Sequence, residues 1–87
     1  MLKDKQLYIA NFYFRSKNYE SAAFRYNDLI DRFNDDEVKK LAGERLVFIG
    51  NKIARPDLCQ KVFTGYKHLY KDKDLEKLAK EVQKCLK

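Results

Sequence analysis

The sequence has few of the residues that interrupt helices or build special loops. Its 87 residues include three Gly, one Pro and no Trp. Because 45% of the residues are hydrophobic and 14% are aromatic, the composition excludes a collagen-like chain and a disordered, low-complexity chain. A chain of this length encloses one modest core, which excludes a multidomain enzyme.

Cysteine is also scarce. Cys59 and Cys85 are too few for the disulfide framework of a small secreted protein, and no Cys or His lies close enough in the sequence to complete a tetrahedral metal site. The sequence therefore predicts no metal, and we expect both cysteines to pack as small apolar groups. Their redox state is left open.

No long apolar run occurs, because charged residues recur every few positions from Lys3 onward. This pattern predicts neither a membrane span nor a signal peptide. No Cys lies near the start to carry a lipid. As written, the sequence predicts a soluble protein.

Recognisable catalytic and cofactor motifs are absent as well, including the Gly-rich dinucleotide motif, the P-loop and the zinc-binding helix with two His. His68 is the single histidine and has no nucleophile beside it, so we interpret it as a solvated surface residue. Carboxylates at positions 35–37 resemble a metal cluster, but capping and the helix dipole explain them. The sequence predicts no enzyme and no cofactor.

What is present is a helical periodicity along the whole chain. Apolar residues recur at intervals of three and four within residues 19–33, 38–53 and 75–86. Asn18 is a candidate N-cap for the second helix, and Pro56 suits the first turn of the fourth. No strand or hairpin signal occurs. The sequence predicts an all-α fold of five helices with antiparallel neighbours.

The chain also repeats itself at an interval of 37 residues, which pairs Ala22 with Cys59 and Tyr26 with Phe63. A helical hairpin that recurs at about 30 to 40 residues is typical of an α-solenoid. We therefore predict a single helical-repeat domain over residues 1–87. Repeat one covers about 3–35, a degenerate repeat two about 38–71, and a terminal capping helix about 73–87.

The first repeat resembles a tetratricopeptide repeat. Small Ala10 and Ala22 and aromatic Tyr13, Tyr19 and Tyr26 lie at the offsets where that family places small and aromatic residues. The resemblance implies a right-handed solenoid of two helical hairpins with a C-terminal capping helix.

Within that superfamily, residues 18–35 are similar to the repeats of the outer-membrane protein assembly lipoprotein of the BAM complex (BamD-like). Tyr19, Ala22, Arg25 and Tyr26 follow its Y-x-x-A-x-x-R-Y pattern, and residues 42–46 follow its A-x-x-R-L pattern. The resemblance implies a location on the periplasmic side of the outer membrane. It also implies protein partners, either the barrel-forming subunit of that complex or unfolded outer-membrane protein segments.

The net charge is +6, and most of the cationic excess lies in residues 55–87. Lys73, Lys77, Lys80 and Lys84 recur at three and four along the last helix and predict one basic face. Two interpretations remain open. The face is either a solvated surface balanced by acidic neighbours or a footprint for nucleic acid or anionic lipid.

In stacked hairpins the first helix of each pair lines the concave face. This rule predicts a groove for a peptide or protein partner, formed by Leu7, Asn11, Phe14, Arg15, Glu44, Phe48, Asn51 and Lys52. The amides would bind a peptide backbone and the cations its carboxylate. Alternatively, Phe14 and Phe48 simply complete the core.

These observations favour a non-catalytic protein-interaction scaffold, and the resemblance implies a role in outer-membrane protein assembly. The alternative is a small basic cytoplasmic protein that binds nucleic acid or anionic surfaces. We also expect a homodimer formed through the first helix, since Leu2, Leu7 and Phe12 have no capping helix before them.

Overall fold

A computed structural model describes residues 2–87, with the side chain of Leu2 outside the described part. Within this range the chain is all-α, with five α-helices and no strand, which confirms the predicted all-α class. The elements in order are α1 (Leu2–Arg15), α2 (Tyr19–Arg32), α3 (Asp36–Lys52), α4 (Pro56–Tyr66), a 3-10 turn (Lys67–Leu69) and α5 (Asp72–Leu86). Each α-helix packs on the next, and α5 also packs on α3.

The fourth helix is shorter than its apolar run suggests. That run extends to Tyr70, but α4 ends at Tyr66 and is followed by the 3-10 turn. Tyr70 has an extended backbone, with φ −105° and ψ 144°, and it leads the chain toward α5. Its side chain is still buried. The spacing therefore identifies a core residue correctly but not the end of the helix.

The 37-residue interval of the sequence recurs in the backbone. The helices α1 and α3 end 37 residues apart, at Arg15 and Lys52, and α2 and α4 begin 37 residues apart, at Tyr19 and Pro56. The turn between α1 and α2 and the turn between α3 and α4 therefore lie at equivalent positions, whereas the outer ends of these helices are 34 residues apart.

Both α1 and α3 end in the same kind of turn. Lys17 and Ala54 have positive φ angles of 62° and 54°. In each turn the next amide donates to a carbonyl five residues back, at 2.9 Å. This is the Schellman arrangement, in which a left-handed residue ends a helix and redirects the chain. The backbone thus repeats at the hairpin corners even though neither position is a glycine.

The start of α3 is capped as the carboxylate cluster predicts. Asp35 accepts hydrogen bonds from the amides of Glu37 at 3.0 Å and Val38 at 3.2 Å, and it pairs with Lys3 of α1 at 2.7 Å. The Lys3 hydrogen bond, followed by the Val38 amide, lowers the pKa of Asp35. Asn18 occupies the N-cap position of α2, but its side chain makes no capping hydrogen bond.

One core cluster includes residues from all five helices. Tyr26 of α2 is 0% exposed, and its ring packs edge-on against Phe14 with centroids 6.4 Å apart. Its hydroxyl donates to Asn11 Oδ1 on α1, and burial raises the pKa of the phenol. Tyr26 is therefore the core residue that the periodicity predicts.

The cysteines contradict the sequence-based expectation. Cys59 of α4 and Cys85 of α5 form a disulfide bond, with their Cα atoms 6.4 Å apart, instead of packing as separate apolar groups. The packing of α5 on α4 brings together two residues that are 26 positions apart. Spacing along the sequence does not show this proximity, because it depends on how the two helices pair.

Gly50 of α3 makes room for this bond. A Cβ atom at this position would lie 2.7 Å from the Cys59 sulfur, 3.0 Å from the Cys85 sulfur and 2.9 Å from the Arg55 carbonyl oxygen. These separations are shorter than van der Waals contact, so a side chain would displace α4 and α5 from α3. A Cβ atom at Gly43 would meet only side-chain atoms, those of Tyr70 and Val62, and no backbone atom.

Replacing Tyr26 with Ala is expected to lower the free energy of unfolding by about 3 to 5 kcal/mol, because it removes a fully buried ring. Tyr26→Phe removes only the hydroxyl and should cost about 1 kcal/mol. Urea denaturation followed by circular dichroism measures both. Tyr8→Ala is the control, since Tyr8 is exposed. A loss below about 0.5 kcal/mol for Tyr26→Ala would be inconsistent with a core position.

Reduction of the disulfide is expected to lower the free energy of unfolding by about 3 kcal/mol, because the bond restricts the unfolded chain. Denaturation curves with and without a reducing agent measure the loss. The double variant Cys59→Ala, Cys85→Ala should be as stable as the reduced protein, within about 1 kcal/mol, and should not respond to the reductant. If the unaltered protein is equally insensitive to the reducing agent, the disulfide bond contributes nothing to the free energy of unfolding.

The outer surface of the first hairpin exposes three aromatic side chains. Tyr8 and Phe12 of α1 are 66% and 53% exposed, and Phe24 of α2 is 70% exposed. Contrary to our expectation, Leu7 packs against the core. The side chain of Leu2 lies outside the described residues. Tyr8 and Phe12 are four residues apart and share one face of α1, so this face presents two exposed rings that another surface can cover.

We therefore expect the chain to form a dimer at high protein concentration through α1, with Phe12 in the contact. Sedimentation velocity over about a hundredfold range of protein concentration measures the shift from monomer to dimer that mass action produces. Phe12→Glu should leave a monomer, because it places a charge in the buried contact. Leu86→Glu, an exposed position on α5, is the matched control. A parent chain that stays monomeric throughout would exclude this dimer.

Candidate functional site

A cleft of about 510 Å³ lies between α1, α3 and α5. It is lined by Phe14, Glu44, Arg45, Val47, Phe48, Tyr70, Asp74, Lys77, Leu78 and Glu81. The buried residues Val47, Tyr70 and Leu78 form its floor. The charged groups of its rim are either exposed, as in Glu44, Asp74 and Lys77, or half-buried, as in Arg45 and Glu81. An apolar floor with a small number of polar groups is typical of a ligand-binding site.

The helix α3 supplies one wall of the cleft. Glu44 and Phe48 are four residues apart and therefore lie on the same face of the helix. Phe48 is 42% exposed, although its ring lies 5.3 Å from the Phe14 ring of α1. The Arg45 guanidinium lies over the Phe14 ring, 4.1 Å from its centroid, which is within the range of a cation–π contact.

Phe14 and Phe48 form what we call the aromatic end of the cleft. Phe14 packs edge-on against Tyr19, with centroids 6.0 Å apart, and the Phe48 ring lies 6.1 Å from the same tyrosine. Aromatic contacts of this kind restrict the orientation of each ring. Phe14 packs at the periphery of the core, whereas Phe48 presents an oriented and partly exposed ring.

Glu44, Tyr70 and Asp74 form the opposite end, which we call the acidic end. The Tyr70 hydroxyl donates to the Lys40 carbonyl at 2.7 Å. Burial raises the pKa of Tyr70, and the nearby carboxylates of Glu44 and Asp74 raise it further. These two carboxylates therefore impose a negative potential at this end.

The helix α5 supplies the opposite wall. Leu78 and Val82 bury its apolar stripe. The Asn51 side chain of α3 donates to the carbonyls of Val47 at 3.2 Å and Glu81 at 3.1 Å. This amide therefore links the two walls near the aromatic end, while the disulfide bond holds α5 to α4.

The structure brings together part of the predicted groove. Phe14, Glu44 and Phe48 line the cleft. Lys52 lies beside it, with its Nζ 5.4 Å from the Phe48 centroid, and Asn51 links its walls.

The other three predicted groove residues lie elsewhere. Leu7 packs against the core, Asn11 accepts the Tyr26 hydroxyl, and Arg15 is exposed in the last turn of α1. The amides of Asn11 and Asn51 are thus engaged within the protein, which weakens the expectation that they bind a peptide backbone.

Sequence reasoning assigned Lys77 to the basic face of α5 and missed the other residues that α5 contributes to the cleft. It predicts α5 as a cap, yet Asp74, Lys77, Leu78 and Glu81 line the cleft. The spacing of Leu78 and Val82 indicates which face of α5 is buried. It does not indicate which helix that face covers, so the sequence pattern could not predict that α5 forms the second wall of the cleft.

The four lysines of the predicted basic face, Lys73, Lys77, Lys80 and Lys84, are all exposed. Lys84 pairs with Glu81 at 3.4 Å, and Lys77 lines the cleft. The Lys84 pair accords with a solvated face that has acidic neighbours, and an exposed pair of this kind contributes little to stability.

The groups in the cleft can bind charged and apolar side chains of a ligand. Across residues 2–87, no three His, Cys, Asp or Glu side chains are grouped so that they could hold a metal ion. His68 is exposed in the 3-10 turn.

No protein-family model matches this chain, and neither a curated protein nor a solved structure shows significant similarity to it. The function of the cleft is therefore inferred from its own residues. None of the helices in the described part of the chain combines the length and hydropathy needed to cross a membrane.

Proposed function

We propose that this chain is a non-catalytic protein-interaction scaffold that binds an extended segment of a partner in the cleft between α1, α3 and α5. The observation that supports the proposal is the partial exposure and fixed orientation of the Phe48 ring. Its ring is partly exposed, yet Phe14 and Tyr19 orient it. A partly exposed and oriented aromatic ring is typical of an anchor in a protein interface.

The dimensions of the cleft also suit a peptide. Its volume of about 510 Å³ falls within the usual range for ligand sites, roughly 300 to 1,000 Å³. Val47 and Leu78 offer an apolar floor, so one apolar side chain of the ligand would lie there against Phe48. The charged rim would then contact the neighbouring residues of the ligand.

We further propose that the helices form a tetratricopeptide-like stack, with α1–α2 and α3–α4 as its two hairpins and α5 as the helix that follows. The support is the 37-residue interval that the sequence and the helix boundaries share. The packing of each helix on the next agrees with this arrangement.

The similarity of residues 18–35 to BamD-like repeats makes outer-membrane protein assembly the process to test first. The partner would be the barrel-forming subunit of the complex or an unfolded outer-membrane protein segment. The disulfide between Cys59 and Cys85 supports a periplasmic location over a cytoplasmic one, because disulfides persist in oxidising compartments and are rare in the cytosol.

A second candidate function is the binding of nucleic acid or an anionic surface through α5. The four exposed lysines on that helix favour it. Asp74, Glu76 and Glu81 on the same helix oppose it, because they reduce the positive potential. Phosphate binding weakens steeply as salt rises, whereas an apolar anchor in a cleft is far less sensitive.

The proposal is tested by titrating the full chain with a set of short peptides, each carrying one aromatic or aliphatic residue, and recording NMR chemical shifts. We expect shifts at the cleft and affinity that changes little with salt. Phe48→Ala should weaken binding about tenfold, which corresponds to about 1.4 kcal/mol. Phe24→Ala is the matched control, because it removes an exposed ring outside the cleft.

An equal loss from both variants would contradict binding at the cleft. Shifts confined to the lysines of α5 on addition of an oligonucleotide, with a steep salt dependence, would favour the second candidate.

A further inference from the structure

The rim of the cleft carries more carboxylates than cations. Glu44 projects from α3, and Asp74 and Glu81 project from α5. Within residues 2–87, neither Glu44 nor Asp74 has an ion-pair partner, and Glu81 pairs only with exposed Lys84 at 3.4 Å. Glu44 and Asp74 are therefore available to a ligand.

The cations near the cleft lie over aromatic rings. Arg45 lies over Phe14 at 4.1 Å, and Lys40 lies over the Tyr70 ring at 5.7 Å. Lys52 stacks in the same way on Phe48 at 5.4 Å. Each such contact directs the cation toward a ring of the protein itself.

Lys77 is the remaining cation of the cleft lining. It follows Asp74 by three residues and precedes Glu81 by four on α5, so both carboxylates are its neighbours on the helix. The lining therefore holds three carboxylates, Glu44, Asp74 and Glu81, against two cations, Arg45 and Lys77. Burial raises the pKa of Tyr70, and the carboxylates of Glu44 and Asp74 raise it further, so both carboxylates lie close to this phenol.

The two ends of the cleft are separated by a short and defined distance. Glu44 and Phe48 are four residues apart on α3, which corresponds to about 6 Å along the helix axis. An extended peptide advances about 3.3 Å per residue. A ligand with one side chain at each end would therefore have them about two residues apart, a spacing at which both side chains lie on the same side of an extended peptide.

We propose that the cleft selects basic peptide segments in which a Lys or Arg lies two residues from an aromatic or aliphatic anchor. The anchor packs on Phe14 and Phe48, and the cation lies between Glu44 and Asp74. This inference rests on the proposed function, because it specifies the ligand of the same cleft. The selection is opposite to the one expected from the net charge of +6, which favours acidic ligands.

The test uses three labelled peptides of equal length with the same central Phe and with Lys, Ala or Glu two residues away. Fluorescence anisotropy with the full chain, at about 0.15 M ionic strength, gives the affinities. We expect the Lys peptide to bind most tightly and the Glu peptide most weakly. The two should differ about five- to tenfold, as expected for one or two exposed ion pairs.

Glu44→Gln with Asp74→Asn should reduce that difference to less than about twofold. The matched control is Glu37→Gln with Glu76→Gln, which alters the net charge equally at exposed positions outside the cleft lining. Glu44→Lys should invert the order of the Lys and Glu peptides. Circular dichroism checks that every variant folds.

Equal affinities for the Lys and Glu peptides, or tighter binding of the Glu peptide, would overturn the inference. The proposed function would still stand if Phe48→Ala weakened all three peptides. A control variant that removed the preference as fully as the cleft variant would also overturn the inference, because whole-molecule charge would then explain it. Failure of all three peptides to bind would contradict the proposed function itself.

Discussion

Gly50 lets α4 and α5 approach α3 so closely that the Cys59–Cys85 bond lies against the helix. The burial of Leu78 and Val82 depends on this approach, and so does the second wall of the cleft. Stability and the candidate site therefore share one physical origin. A helix on the outside of a small domain is usually attached by its apolar stripe alone, whereas α5 is also attached by a covalent bond.

The charge of the whole molecule and the charge at the cleft differ in sign. The chain carries +6 overall, whereas the cleft lining holds three carboxylates and two cations. Screening limits interactions between exposed charges to about 8 Å at physiological salt. A bound segment therefore responds mainly to the groups that line the cleft. The lysines on the outer face of α5 act over longer distances only at low salt.

Prediction from sequence succeeded where the physical signal is local. The helical spacing identified Tyr26 and Tyr70 as core residues because one face of each segment must be apolar to be buried. It did not identify the end of α4, since the 3-10 turn keeps Tyr70 in the core without continuing the helix. It also missed the bond between Cys59 and Cys85, which depends on how two distant segments pair.

The sequence by itself determined the all-α class, the helices and their 37-residue interval, because these depend on spacing within and between neighbouring segments. It also indicated Phe14, Glu44 and Phe48, through the rule that first helices of hairpins face a groove. Only the tertiary structure decided that α5 forms the opposite wall. An apolar stripe indicates that a helix face is buried, but the partner of that face depends on the packing of the whole chain.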